Sequence, residues 1–198
     1  MYDHKPSGPE MAALLTEARQ RVLALVDDLT DSQLVGPRLA IVNPLLWEIG
    51  HVAWFQERWA LRELRGRPPL LPGGDGLYDS ARVAHDTRWD LPLPSRGGTL
   101  QYMKAVLDTV TSLLTEDPDR ELTRDETYFH LLVLYHEYMH LEAFLYTFQT
   151  LEYAAPPPGA LGGAMAAGPG APAGSPAGRS PATRALATAD DDVRVPGA

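Results

Sequence analysis

His136 and His140 stand four residues apart in a segment that is apolar almost all round, Tyr128-Phe129-His130-Leu131-Leu132-Val133-Leu134-Tyr135-His136. On a helix this spacing stacks two imidazoles on one face, one turn apart, where they can share a metal ion. An all-round apolar helix lies inside a bundle. Satisfied core histidines are the competing reading of such a pair, since buried imidazoles need polar partners in any case. A third ligand decides between the two. Glu142 lies close in sequence, but at about 200° round the helix from His140 it points away from a shared metal. It is expected to act behind the site, as a hydrogen-bond partner or structural acid. His51 is the better ligand. It sits in Trp47-Glu48-Ile49-Gly50-His51-Val52-Ala53-Trp54-Phe55, and Gly50 beside it permits close approach of a neighbouring helix. The expected ligands of one divalent metal ion are therefore His51, His136 and His140. His4 and His130 show no matching partner, and His85 falls in a long loop.

His136-Glu137-Tyr138-Met139-His140 also fits the zinc-protease signature HExxH. That chemistry needs a third ligand downstream and a sheet to carry a peptide. Position 143 is Ala143, no histidine follows His140, and no strand pattern precedes it. A protease is rejected on these grounds.

Four helices must position these histidines. The first is predicted from about Pro9 to Leu29, where Leu14, Ala18, Val22, Leu25 and Leu29 keep helical spacing and Ser7 with Glu10 can form a capping box. The second is predicted from about Pro44 to Arg65, with Asn43 as N-cap, Pro44 in the first turn and Gly66 as the stop. The third runs from about Thr99 to Leu114. The fourth runs from about Arg124 to Glu152, with Thr123 and Glu126 as a capping box. A long segment, Arg67 to Gly98, joins helices two and three, and so long a connection is functional or ordered by packing. The expected fold is all-α, a four-helix bundle with one long crossover over residues 1–153.

Composition bounds the remainder. A net charge of −9 argues against a nucleic-acid partner. The absence of cysteine excludes disulfides, thiolate metal sites and cysteine nucleophiles. The polar N-terminus has no signal core, and no apolar run reaches the roughly 18 to 20 residues of a membrane helix. A cytoplasmic protein without a membrane partner is expected. Residues 154–189 are nearly all Ala, Gly and Pro and read as a disordered linker. Residues 190–198 then read as the opening of a further domain, so the chain is expected to be the first part of a longer protein.

Asn43-Pro44-Leu45-Leu46-Trp47-Glu48-Ile49-Gly50-His51 with Trp54-Phe55-Gln56-Glu57, followed by His136-Glu137-Tyr138-Met139-His140-Leu141-Glu142, resembles the paired signatures of the DinB-like domain in the ergothioneine and selenoneine synthase family. The resemblance covers roughly residues 10–153. It implies a DinB-type four-helix bundle followed by a formylglycine-generating-enzyme-like domain, whose opening Val193-Arg194-Val195-Pro196-Gly197 is similar to. It implies iron(II) held by His51, His136 and His140. It also implies an O2-dependent reaction that joins sulfur or selenium to the imidazole ring of hercynine, a trimethylated histidine. In the ergothioneine branch a pair of arginines receives the carboxylates of a γ-glutamylcysteine-like thiol. Here Arg88 matches one of them and Leu91 stands at the second. The segment is closer to the selenoneine-synthase branch, whose donor is a selenosugar. Arg82, His85 and Arg88 are then the expected substrate-binding residues, alongside Asp79 and Asp86.

Three neutral imidazoles leave the metal its full charge and about three open positions for O2 and substrate. Imidazole suits zinc and iron alike, so iron rests on the resemblance. Trp47, Trp54, Phe55, Tyr135 and Tyr138 can wall the site and meet a trimethylammonium group by cation–π attraction. Two other functions fit the same residues: a stand-alone DinB-like metal-dependent thiol transferase or hydrolase, and a helical interaction module with a structural metal. The linker and the ending at residues 190–198 favour the synthase. Limited proteolysis should cut first within residues 154–189 and leave a stable core ending near Tyr153. A core that unfolds once the tail is removed would contradict the domain division.

Overall fold

The computed structural model describes residues 5–156, and these are helical without a single strand. The expected linker beyond Pro156 and the opening at residues 190–198 lie outside the described residues. Four long helices form the bundle: α1 (Gly8–Val26), α3 (Leu45–Gln56), α5 (Arg96–Thr115) and α6 (Arg124–Thr150). Two short helices, α2 (Asp31–Val35) and α4 (Gly74–Tyr78), lie in the connections, with a 3-10 turn at His85–Thr87. No helix among the described residues is long and apolar enough to cross a membrane.

Both expected capping boxes are present, Ser7 with Glu10 on α1 and Thr123 with Glu126 on α6. Glu126 also receives Arg65 at 2.6 Å and Arg120 at 2.8 Å, which pins the start of α6 to the end of the second long helix. Gly66 terminates that helix with φ +62°, as its sequence position predicted. Asn43 does not cap it. Pro44 occupies the N-cap position without a side-chain bond, and the Asn43 amide turns instead to Glu48. α5 begins earlier than expected because Ser95 caps it through the N–H of Gly98. Helices α2 and α4 were not expected, since five residues are too few to carry a readable apolar period.

After Gln56, α3 widens into a π-helical stretch, Glu57–Glu63. Such stretches are rare and concentrate near functional sites. This one brings Glu57, Ala60 and Leu61 into the interior. Glu57 accepts from the Tyr102 hydroxyl at 2.7 Å, and burial raises its pKa above the ordinary carboxylate value. The apolar core runs the length of the bundle. Met11, Leu15, Ala18, Leu61, Val110, Leu114 and Val133 fill one end, and Trp47, Ile49, Met103, Val106, Leu141 and Phe144 fill the other.

One polar group joins all four long helices. Arg19 of α1, 1% exposed, donates to Glu137 of α6 at 2.6 and 3.2 Å. The same guanidinium donates to Gln56 Oε1 of α3 at 2.9 Å and to the carbonyl of Met103 in α5 at 2.9 Å. Arg19→Met should lower the unfolding free energy by about 3–5 kcal/mol, because it strands the Glu137 charge in the core. Arg19→Met with Glu137→Leu should cost less than Arg19→Met alone. Urea denaturation measures both, and equal or greater loss in the double variant would show that the two charges do not act as a pair.

Candidate metal centre

His51 projects from α3, and His136 and His140 project one turn apart from α6. One nitrogen from each ring lies within 4.8 Å of the other two. The ring centroids are 5.0 Å apart between His51 and each partner and 4.5 Å apart within the pair. His136 and His140, selected by spacing, and His51, selected by its apolar setting, are thus brought together. They form a buried cluster, with His136 the most open of the three.

Two of the rings are oriented by hydrogen bonds that fix their tautomers. The carbonyl of Tyr78 can only accept, so His51 Nδ1 carries the proton and donates to it at 2.7 Å. Trp47 stacks on the same ring at 4.7 Å. His140 Nδ1 donates to the Glu48 carboxylate. In His51 this leaves Nε2 with a bare lone pair, the form a metal requires, and in His140 it leaves Nε2 as the nitrogen turned to the cluster. Burial works to raise the pKa of Glu48, but the hydrogen bonds from His140 and Asn43 outweigh it and hold the carboxyl below its ordinary value. Among the described residues His136 has no hydrogen-bond partner. Phe55 holds its ring instead, stacked at 3.6 Å and 4°. Burial, reinforced by the neighbouring imidazoles, lowers the pKa of His51 to about 4 and that of His136 well below the usual range. Neutral imidazoles with free lone pairs fit a divalent transition metal without prior loss of protons.

Gly50 permits the close approach expected of it, to the short helix α4. A Cβ on it would lie 2.3 Å from the Tyr78 ring. The close neighbour is therefore the side chain of Tyr78, the last residue of the short helix α4, and this approach carries the Tyr78 carbonyl to His51.

The acids sort themselves by partner. Glu137 lies in the pair with Arg19, so it cannot serve as the base of an HExxH protease. Glu142 does point away from the cluster, but it is exposed, and among the described residues it makes no hydrogen bond or ion pair. The supporting acid expected at Glu142 is Glu48, a residue the spacing argument missed. Its signal was present: an acid inside an apolar helical run has to find a buried partner.

The three loop residues expected to meet a substrate have partners within the protein. Arg82 is exposed and pairs with Asp79 at 3.2 Å. His85 Nε2 donates to the carbonyl of Val42 at 2.7 Å. Arg88 is buried, donates to Asn43 Oδ1 at 2.6 Å, and lies 3.9 Å from the centroid of the Trp47 ring. His130 is a satisfied core residue, bonded to the Glu126 carbonyl at 2.6 Å. Of the aromatic residues, Trp47 and Phe55 lie against the ligands, whereas Tyr135 is 64% exposed.

The family model of the DinB superfamily matches residues 14–144. Hercynine oxygenase of Mycobacterium tuberculosis is 31% identical over 141 residues, which cover 70% of this chain and 32% of that protein. Hercynine oxygenase of Mycolicibacterium thermoresistibile is 31% identical over 142 residues, covering 71% and 31%. The chain spans about a third of the length of these relatives. His51→Ala, His136→Ala and His140→Ala should each lose bound metal on elemental analysis, and Glu142→Gln should keep it. Gly50→Ala should lose metal while remaining folded, because its Cβ displaces Tyr78. Full occupancy in the His51→Ala protein would remove His51 from the site.

Proposed function

The chain belongs to the DinB superfamily, and from that premise we propose that it is the metal-binding part of a larger iron(II), O2-dependent enzyme that forms a C–Se or C–S bond on the imidazole ring of hercynine. The observation that carries this reading is the convergence of His51, His136 and His140 with two of their tautomers fixed. The hercynine oxygenases that align with this chain support the substrate class, and oxygenase chemistry favours a redox-active metal such as iron over zinc, which has no redox chemistry.

Iron(II) held by these residues would supply the redox chemistry with O2. The chain's own contribution is geometric. His136 and His140 would hold the metal from one helix and His51 from another, and a three-histidine set would leave positions for O2 and the acceptor. Tyr78, Glu48, Phe55 and Trp47 keep the rings from turning. In the overall reaction the C–H bond of the hercynine ring and the Se–H or S–H bond of the donor break. A bond forms between carbon and the chalcogen. One oxygen atom leaves as water and the other remains on selenium or sulfur.

Leu91 supports a selenosugar over a γ-glutamyl thiol, because it removes one of the two arginines that would receive carboxylates. The engagement of Arg88 with Asn43 and Trp47 supports the same choice. Arg82 and His85, with Asp79 and Asp86, are the loop groups proposed for sugar hydroxyls. His136 is the most open of the three histidines, the bundle alone is proposed not to hold both substrates, and a misplacement of about 1 Å can cost a hundredfold in rate. Residues 1–198 loaded with iron should therefore turn over poorly. The full-length enzyme should consume O2 with hercynine and a selenosugar and yield a selenium-linked product by mass spectrometry, with γ-glutamylcysteine the weaker donor in competition. Exclusive use of the thiol would return the protein to the ergothioneine branch, and rapid turnover by residues 1–198 would overturn the two-part reading.

A further inference from the structure

Glu48 is a carboxylate 4% exposed, and its hydrogen-bond partners are the His140 ring and the Asn43 amide. Neither is a permanent cation. A buried charge needs compensation nearby. The guanidinium of Arg88 provides it one step further along. Arg88 Nη1 donates to Asn43 Oδ1 at 2.6 Å, and Asn43 Nδ2 donates to Glu48 Oε1. The two contacts fix which way the Asn43 amide faces, oxygen to the cation and nitrogen to the anion. A polarised line therefore runs from Arg88 through Asn43 and Glu48 to His140.

A second line starts at the same group. The Arg88 guanidinium lies 3.9 Å from the Trp47 ring centroid, and Trp47 is stacked on His51 at 4.7 Å and 9°. Arg88 Nη2 also points to the carbonyl of Val83 at 3.4 Å, which ties it to its own segment. One buried cation thus bears on two of the three clustered imidazoles by separate routes. His136 is reached by neither.

We infer that Arg88 is a positioning residue of the metal centre: it holds His140 through Asn43 and Glu48, and His51 through Trp47, from a segment outside the helices that carry the ligands. This rests on the reading that the three histidines bind metal. It assigns the segment around the 3-10 turn a task beyond substrate contact. Lysine cannot replace the arginine fully, since one ammonium cannot both reach Asn43 and lie flat on the indole.

The test uses the 198-residue chain with cobalt(II) as the probe, by competition with a chelator and by its visible absorption bands. Wild-type binding comes first. Failure to bind would sink the metal reading, and with it this inference. Arg88→Ala should raise the cobalt dissociation constant about 10- to 100-fold, the usual scale for groups that orient ligands. It should also shift the absorption bands of the metal it still binds. Arg88→Lys should recover part of the affinity. Asn43→Ala should weaken binding, and adding it to Arg88→Ala should cost much less than it costs alone. Wild-type affinity and spectrum in the Arg88→Ala protein would overturn the inference, as would fully additive losses in the double variant. If Arg88→Ala does not fold, Arg88→Lys with and without Asn43→Ala decides by the same two readouts.

Discussion

The ion pair between Arg19 and Glu137 is the interaction on which the geometry of the histidine cluster depends. Glu137 follows His136 directly and is fully engaged with a guanidinium rooted in α1. Holding it there sets the rotation of α6, and one residue earlier and three later the two histidines are turned toward α3. The same guanidinium takes Gln56, five residues beyond His51, and so sets α3 against α6. A hydrophobic pair of equal volume could match its contribution to stability. It could not fix the rotation of two helices as tightly, because apolar contacts are non-directional and a bidentate ion pair is directional.

From that frame the long crossover acquires its purpose. Arg62, in the π stretch, grips Asp75 at 2.5 and 2.9 Å, and Trp54 Nε1 donates to the same carboxylate at 2.8 Å. Asp75 lies in α4, whose last residue is Tyr78. These contacts hold α4 against α3 and deliver the Tyr78 carbonyl to His51. The Arg62 pair also lowers the pKa of Asp75 far below the ordinary carboxylate range, so the grip persists across the neutral range. Ten residues beyond Tyr78, Arg88 meets Asn43 and Trp47. The connection therefore works as a splint: Tyr78 bears on His51, and Arg88 bears on His51 through Trp47 and on His140 through Asn43 and Glu48.

The His136 and His140 pair and the bundle were readable in the sequence because both are periodic, and His51 was readable from its apolar setting. A four-residue spacing, two capping boxes and a helical-wheel angle are local facts, and local facts survive into the fold. The outward direction of Glu142 was readable for the same reason. Its replacement by Glu48 was not, because the distance between Glu48 and His140 is set by packing across 92 positions of chain. Asn43 illustrates the limit differently. Its residue type suits an N-cap, but a buried carboxylate one turn ahead competes for the amide and wins, since a charge-assisted bond outweighs a cap. The use of Gly50 was half legible: small size announced a close neighbour, but only the folded chain names it as Tyr78.

The support of the three rings is unequal, and the inequality has a direction. His51 and His140 are 4% and 7% exposed and are held by hydrogen bonds, whereas His136 is more open and held by a stacked phenyl ring. A stacked ring limits tilt but leaves rotation within its own plane freer than a hydrogen bond does. The side of the cluster toward His136 is thus both the more accessible and the less rigid. Tyr135 and Met139, 64% and 53% exposed, sit on the adjoining strip of α6. An oxidative reaction between two substrates needs a dry, shaped enclosure, because charge on a reacting group is stabilised by fixed dipoles only where water is kept out. The bundle encloses His51 and His140 more closely than His136, so the proposed reaction would have to gain that enclosure on the His136 side.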